Sequence, residues 1–493
     1  MLYTLEQVAQ HNSKESCWII IENKVYDVTD FLPEHPGGSK IILKYGGKDA
    51  TDAFNPVHPP GVIDAQLPKG RHLGELDQKD AKQREKSSKP NDELRVEREQ
   101  RYKPSISKMH NLQDLENVAR KVLPFKALAY YSSATDDEVA MDENRRAFSR
   151  IFFLPRVMRA VSDIDPSTTV LGFPSRLPVF ISGAALAKLG HPLGELNITR
   201  ACGRANIIQM VSSHSSCSFA ELAQARISSE QPLFFQFYKN KNDDTALARV
   251  RHVEELGYKA IFLTVDAVVM SNRERDIKAK AVEEDEDAHI PGSGGIPSTD
   301  EVGETQEEGE GEGGFGSSGT AGAFLANDDR NMTWEKTIPW LRSVTELPIV
   351  IKGIQCVEDA VLAMKAGVDG IMISNHGGRQ MEYSMPSVDV LYRLRKQRPD
   401  VFDKVEVYID GGIRRGTDVL KCVCLGARAV GLGRPALYAQ SAYGEAGVLR
   451  LITILEREIR AGMALLGAAN IKDLKPELVE QVSFQPAQMY AKL

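Results

Sequence analysis

The segment Ser374-Asn375-His376-Gly377-Gly378-Arg379 directly follows the apolar run Gly370-Ile371-Met372-Ile373. A short buried strand thus delivers an imidazole and a guanidinium to its exit, three residues apart. An imidazole takes a proton near neutral pH. A guanidinium holds a carboxylate through two parallel hydrogen bonds. Together they suit a small acid with a removable α-proton. Without such a ligand they would be two solvated polar residues at a strand end. Glycines flanking both groups weigh against that reading.

The elements that must position these groups are eight short apolar runs between amphipathic stretches. They are Val179–Gly183, Ile207–Ser213, Leu233–Tyr238, Ala260–Asp266, Ile349–Gly353, Gly370–Ser374, Val405–Gly411 and Ala429–Gly433. Strands alternating with helices pair in parallel, and eight of them predict a closed (β/α)8 barrel, an α/β fold. A doubly wound open sheet is the alternative, but it calls for an early GxGxxG that this chain lacks. In a barrel, chemistry belongs at the C-terminal ends of the strands. Those ends carry Gly183-Ala184, Ser212-Ser213-His214, Gln236 and Tyr238, Thr264 and Asp266, Lys352, Ser374 with His376 and Arg379, Asp410-Gly411-Gly412, and Gly433-Arg434.

Ahead of the barrel lies a unit at 1–76 with its own aromatic and aliphatic residues. Residues 77–108 are rich in Lys, Glu, Gln and Arg and read as a solvated, partly helical linker. The large domain is expected over 109–493. In the small unit, Phe31-Leu32-Pro33-Glu34-His35-Pro36-Gly37-Gly38 and Asn55-Pro56-Val57-His58-Pro59 resemble the haem-binding core of the cytochrome b5 family. The resemblance implies an α+β unit in which His35 and His58 ligate haem b. Two histidines from separate segments clamp one iron from both faces, which favours electron transfer over oxygen chemistry. Trp18, Tyr26, Phe31 and Phe54 are expected to supply the apolar wall. His11 and His72 lack such context and are expected at the surface.

The barrel motifs Ser374–Gln380 (SNHGGRQ), Asp410–Asp418 (DGGIRRGTD) and Gly431–Pro435 (GLGRP) resemble those of the FMN-dependent 2-hydroxy-acid dehydrogenase and oxidase family. With the haem-type unit ahead of the barrel, the chain resembles that family's cytochrome-reducing, L-lactate-oxidising branch. The resemblance implies His376 as catalytic base, with Asp266 paired to it. Arg379 and Tyr130 would bind the substrate carboxylate, Tyr238 its hydroxyl, and Arg273 would be a second active-site arginine. Lys352 would stand at the edge of the flavin, with Gly183, Ala184, Ser212, Gln236, Thr264 and Ser374 around its ring. Asp410, Gly411, Gly412, Arg414, Gly433 and Arg434 would hold its ribityl chain and phosphate, where barrel physics also expects an anion. The implied reaction oxidises an L-2-hydroxy acid and passes electrons through haem b to a cytochrome c-like acceptor. An oxygen-using oxidase with an auxiliary haem unit is the alternative. A homotetramer is implied. Neither the carbanion nor the hydride route is favoured by the residues.

The chain departs from the family pattern at Ser133-Ala134-Thr135, at Ala184, and along Ala267-Val268-Val269-Met270-Ser271. It departs most at His214, where the family carries an apolar or aromatic group against the substrate side chain. An imidazole there either favours a polar or larger acid or is a neutral packing residue.

The net charge of −7 is not uniform. Residues 281–329 hold fourteen acids and no Lys or Arg, so the remainder carries +7. That balance suits anionic ligands and is too weak for nucleic acid. The Gly/Glu/Ser segment at about 281–328 is expected to be a disordered insertion, serving as lid or as spacer. Six cysteines without CxxC spacing imply a reduced compartment. No apolar run spans a bilayer, and no signal peptide or transit segment is recognised. The tail Ala491-Lys492-Leu493 is a near variant of the peroxisomal address. Cytoplasm and the mitochondrial intermembrane space remain the alternatives.

Overall fold

The computed structural model describes residues 1–35, 38–55, 57–59, 61–77, 91–279, 320 and 327–482. Four strands open the chain: β1 (Leu2–Tyr3), β2 (Trp18–Ile21), β3 (Lys24–Asp27) and β4 (His72–Leu76), in the order β1-β4-β3-β2. β2 and β3 form a two-residue hairpin in which Glu22 and Asn23 both take positive φ, 51° and 64°. Such turns match the strand twist.

Side chains alternate across β2, so its residues feed two clusters. Ile19 and Ile21 join Tyr26, Val28, Leu32, Ile42, Phe31 and Phe54 on the haem-ligand side. Ile20 joins Val8, Val25 and Leu76 on the other, and Trp18 packs there too. The sequence expectation for Trp18 is therefore corrected: its parity in the strand turns it away from His35 and His58. His11 is not a free surface residue either. It stacks on Trp18 with ring centroids 3.5 Å apart, and His72 lies edge-on to Tyr26 at 5.1 Å.

Within the charged stretch, Asn91–Tyr102 is a helix. Arg95 donates to the carbonyls of Lys121 (2.5 Å) and Leu123 (2.6 Å), satisfying the free carbonyl end of helix Leu112–Val122. Lys103 Nζ donates to the Ala442 carbonyl at 2.7 Å. These bonds fasten the helix to the barrel.

The barrel strands are β5 (Val179–Ile181), β6 (Ile208–Ser212), β7 (Leu233–Phe237), β8 (Ile261–Thr264), β9 (Ile349–Ile354), β10 (Gly370–Ile373), β11 (Glu406–Ile409) and β12 (Ala429–Leu432). All pair in parallel in sequence order, and β12 closes on β5 through Val430↔Val179 and Leu432↔Ile181. The chain is thus an eight-stranded α/β barrel with a small mixed unit ahead of it.

Inward positions carry Phe180, Met210, Phe234, Phe262, Met372 and Tyr408, which fill the cylinder. The hairpin of Thr168–Val170 and Phe173–Ser175 seals the N-terminal end, with Val170 and Phe173 packed on that cluster. Among the described residues, the end of the cylinder left open to a ligand is the C-terminal one. The lid-or-spacer expectation for 281–328 falls outside the described residues, apart from Thr320, Asn327 and Asp328. Thr320 is held by the buried Asp276 carboxylate, to which its N–H (3.0 Å) and hydroxyl (2.7 Å) both donate.

Candidate active site

The eight strand exits open into one cavity lined by His376, Arg379, Tyr130, Tyr238, Arg273, Lys352 and His214, and continuing to Asp410, Gly411, Gly412, Gly433 and Arg434. His376 leaves β10 with φ 57°, in the left-handed region, followed by Gly377 (65°) and Gly378 (76°). Such a turn is strained for a non-glycine residue and must be held by its surroundings. It is. The Ser374 hydroxyl accepts the His376 N–H at 3.1 Å. Asn375 and Asn144 exchange side-chain amide bonds at 2.8 and 3.0 Å, and Asn375 Oδ1 also accepts the Gly378 N–H at 3.2 Å. A Cβ on Gly378 would lie 2.5 Å from the Met141 nitrogen, so only glycine fits that approach.

His376 Nδ1 lies 2.9 Å from Asp266 Oδ1, and Asp266 is fully buried. Lys352 Nζ stands 3.4 Å from Asp266 Oδ2 and 3.5 Å from both Ser374 Oγ and His376 Nδ1. Burial by itself would raise the Asp266 carboxyl. The charges of Lys352 and His376 outweigh it and bring the carboxyl down to about 2. Burial, then Lys352, lowers His376 below its ordinary value, with Asp266 opposing. The imidazole is therefore neutral at pH 7, with Nδ1–H directed to Asp266 and Nε2 available to take a proton.

The sign of the pH effect follows. Flavin reduction should fall as pH drops through the His376 value, which lies below 6.5. Asp266→Asn removes the group that favours the charged imidazole. Its acid limb is expected at still lower pH, and its plateau about 10- to 100-fold down, from one lost charged hydrogen bond. A pH profile of flavin reduction checks both; an acid limb moved upward would contradict the pairing.

Arg379 Nη1 donates to the carbonyls of Tyr130 (2.7 Å) and Ser133 (3.0 Å), and the guanidinium lies 5.0 Å over the Tyr130 ring. Its Nε and Nη2 donate to nothing among the described residues, which leaves one edge for a carboxylate. Arg273 is buried, with Nε donating to Ser271 Oγ at 3.2 Å. Burial and the neighbouring Arg379 lower it to about 9. Burial raises both Tyr130 and Tyr238, so both phenols keep their protons and can donate.

The far end of the cavity fits FMN on several counts. Asp410 Oδ1 is buried with no hydrogen-bond partner among the described residues, as an acceptor awaiting a hydroxyl would be. Gly411 and Gly412 turn at φ 96° and 78°, and a Cβ on Gly433 would meet nothing within 4 Å. At ring level Ser212 Oγ donates to Gln236 Oε1 (3.1 Å) and Gln236 Nε2 to Thr264 Oγ1 (2.8 Å), tying β6, β7 and β8 into one polar edge. A Cβ on Gly183 would press on the Gln236 side chain at 2.9 Å. Ala184 lines the same wall. Arg414 and Arg120 both bind Glu116, each at 2.6 Å, leaving one net positive charge there. Arg434 spends its nitrogens on the carbonyls of Tyr131 (3.0 Å), Gly377 (2.8 Å) and Ser133 (2.9 Å). It thus ties the Tyr130 segment to the His376 turn.

Sequence reasoning missed Glu116, Arg120 and Asn144. Asn144 meets Asn375 across 231 positions of chain, and no local signal marks such a partner.

In the N-terminal unit the His35 and His58 rings face each other with centroids 6.0 Å apart. Two metal–nitrogen bonds of about 2 Å plus the ring radii give a similar span. His35 Nδ1 sits 3.3 Å from the Gly38 carbonyl and His58 Nδ1 3.0 Å from that of Phe54. Nδ1–H is thus fixed on both rings and Nε2 is left as the ligand atom. Burial lowers both residues, keeping them neutral as ligation requires. The pair fits haem.

The profile of the FMN-dependent dehydrogenase family matches residues 119–481, and that of the cytochrome b5-like haem/steroid binding domain matches residues 4–77. The chain is 45% identical to an L-lactate dehydrogenase (cytochrome) of Wickerhamomyces anomalus over 482 residues, 97% of this chain and 79% of that one. It is 40% identical to the L-lactate dehydrogenase (cytochrome) of Saccharomyces cerevisiae, covering 96% of this chain and 79% of the relative. The recombinant flavin-binding domain of baker's yeast flavocytochrome b2 superposes with TM-score 0.70 at 38% identity, over 81% of this chain and 95% of that one. With a cavity at the barrel mouth whose lining fits FMN and a histidine pair in the unit ahead of it, this chain belongs to the FMN-dependent dehydrogenases, in the form that carries an N-terminal cytochrome b5-like domain.

Proposed function

We propose that the chain is an FMN-dependent L-2-hydroxy-acid dehydrogenase of the lactate-oxidising type, delivering electrons through its haem unit to a cytochrome c-like acceptor. The convergence of His376, Asp266, Lys352 and Arg379 in one cavity carries this reading. FMN, when bound, accepts two electrons there, and haem b relays them singly. The open edge of Arg379 and the Tyr130 hydroxyl hold the substrate carboxylate, with Arg273 adding positive charge. Tyr238 donates to the substrate hydroxyl.

Oxidation of L-lactate to pyruvate releases two electrons and two protons, and His376 Nε2 takes one of those protons. Asp266 stabilises the resulting imidazolium. Lys352 would offset negative charge at the edge of bound FMN. Gly183, Ala184, Ser212, Gln236, Thr264 and Ser374 would border the ring; Asp410 to Gly412, Arg414 and Gly433 would hold the chain and phosphate, with Arg434 bracing the loops beside them. A haem unit at 1–76 and a barrel domain from 109 carry the two redox centres, and within the intervening 77–108 stretch helix Asn91–Tyr102 is fastened to the barrel. We expect a homotetramer, which the exposed apolar run of Phe152, Leu154, Val157 and Met158 supports. Among the described residues no helix is long and apolar enough to cross a membrane.

Anaerobic mixing of the holoenzyme with L-lactate is expected to bleach the flavin first and reduce the haem second. Cytochrome c should be reduced in the steady state. No bleaching by lactate or any other L-2-hydroxy acid would overturn the proposal. Stoichiometric hydrogen peroxide without cytochrome c reduction would replace it with an oxidase.

A further inference from the structure

β7 ends at Phe237, so Tyr238 and Lys239 lie just past the support of the barrel ladder. Successive side chains of extended backbone point to opposite sides. Tyr238 lines the cavity, and Lys239 turns to the back, outside that lining. The lysine is nonetheless buried, with 6% of its side chain exposed. A buried ammonium is costly unless it is paired and hydrogen-bonded. Here Nζ donates to Asp243 Oδ1 at 2.5 Å, to Asp329 Oδ2 at 2.8 Å and to the Asn240 carbonyl at 3.4 Å. The Trp340 ring centroid lies 4.8 Å from the same nitrogen. Burial alone would lower the ammonium. Its bonds to the two carboxylates outweigh burial and raise it, so the lysine is charged.

These partners come from three elements. Asp243 opens helix Asp243–Glu255, Trp340 belongs to helix Trp334–Val344, and Asp329 sits on the segment leading into the latter. That segment also grips the backbone. Asp329 N–H donates to the Lys239 carbonyl and Lys241 N–H to the Asn327 carbonyl, both at 2.8 Å, and Asn240 pairs with Asp328 as an antiparallel bridge. On the strand side, Tyr238 N–H donates to Ser213 Oγ at 3.2 Å, and that hydroxyl donates to the Gln236 carbonyl at 2.7 Å. The Tyr238 ring stacks on His214, with centroids 5.0 Å apart. Among the described residues nothing bonds the phenol oxygen itself, so its direction is set by what holds the ring and the backbone.

We propose that Lys239 is a positioning residue: its ammonium locks the exit of β7 to Asp243, Asp329 and Trp340 and thereby aims the Tyr238 hydroxyl at the oxygen on the substrate's second carbon. The proposal rests on the function assigned above. Lys239 touches neither substrate nor flavin and acts through Tyr238. A hydrogen bond weakens steeply as its angle and length drift, so a small shift of the ring is felt at the reacting group.

The test is a double-mutant cycle on the holoenzyme, read as flavin reduction by L-lactate. Lys239→Met keeps an unbranched stem and removes the charge. It is expected to lower kcat/KM about tenfold, the effect of one misdirected hydrogen bond. In a Tyr238→Phe background, with no hydroxyl to aim, the same change should cost less than about twofold. Lys239→Arg can still bond both carboxylates and should keep most of the activity. Ligand binding to the oxidised holoenzyme gives a readout without turnover. Pyruvate, whose 2-oxo oxygen accepts from Tyr238, should weaken about tenfold in Lys239→Met, and propionate, which lacks that oxygen, should not. If Lys239→Met fails to fold, Asp329→Asn loosens the same lock and should give the same cycle. Equal losses with and without the Tyr238 hydroxyl, or no loss on loosening the lock, would overturn the inference while lactate oxidation stands. If no L-2-hydroxy acid bleaches the wild-type flavin, the function assigned above falls, and this inference with it.

Discussion

Replacing His376 with glutamine is expected to slow flavin reduction by L-lactate about 10⁴-fold while FMN stays bound. Glutamine can meet Asp266, but it has no site that takes a proton at neutral pH. The neighbouring set stays intact: Lys352 still has Asp266, and the turn still has the Asn144–Asn375 pair and the Ser374 hydroxyl. Backbone strain at φ 57° is present before and after the change. The loss should therefore appear in the chemical step rather than in folding. Stopped-flow bleaching of the flavin, beside FMN content and thermal melting, separates these. A variant that bleaches at the wild-type rate would remove His376 as the base. A variant without FMN would mean that the imidazole holds the cavity together.

The barrel was legible because parallel strands buried on both faces read as unbroken apolar runs. Val179–Gly183 and Gly370–Ser374 differ from the observed strands by only a residue or two at one end. The site was legible for a related reason: barrel chemistry sits directly after those runs, so Asp266, Lys352 and His376 could be placed by strand position alone. Contacts made across the fold had no such marker. Glu116 meets Arg120 at a helical spacing of four, but its second partner, Arg414, comes from the far end of the domain and no spacing announces it. Arg434 reads as a phosphate ligand by motif, yet its nitrogens meet backbone carbonyls that only the folded loop supplies. Trp18 failed on parity: composition shows an aromatic, while its face depends on the β2 register. The highly charged 91–102 stretch looked solvated, and its attachment depends on Arg95 reaching a helix end 26 residues away.

His58→Ala is expected to abolish the haem spectrum and reduce cytochrome c turnover to background, while flavin bleaching by L-lactate stays within about twofold of wild type. The His58 ring stacks on Phe54 at 4.2 Å and closes one face of the ligand pair with His35. Removing it leaves iron with one protein ligand. A unit this small also loses part of its core with the haem, so circular dichroism should accompany the spectra. His58→Met, which offers a different axial ligand, keeps the test interpretable if the alanine variant loosens. Separability is not trivial here, because Val57, next in sequence to His58, packs against the apolar core of the barrel. The chemistry of the 2-hydroxy acid uses none of this contact. Loss of flavin bleaching in a folded His58 variant would show that the haem unit shapes the barrel site through Val57. Retained bleaching with no cytochrome c reduction would place haem after the flavin in the electron path, which two independent pockets in one chain require.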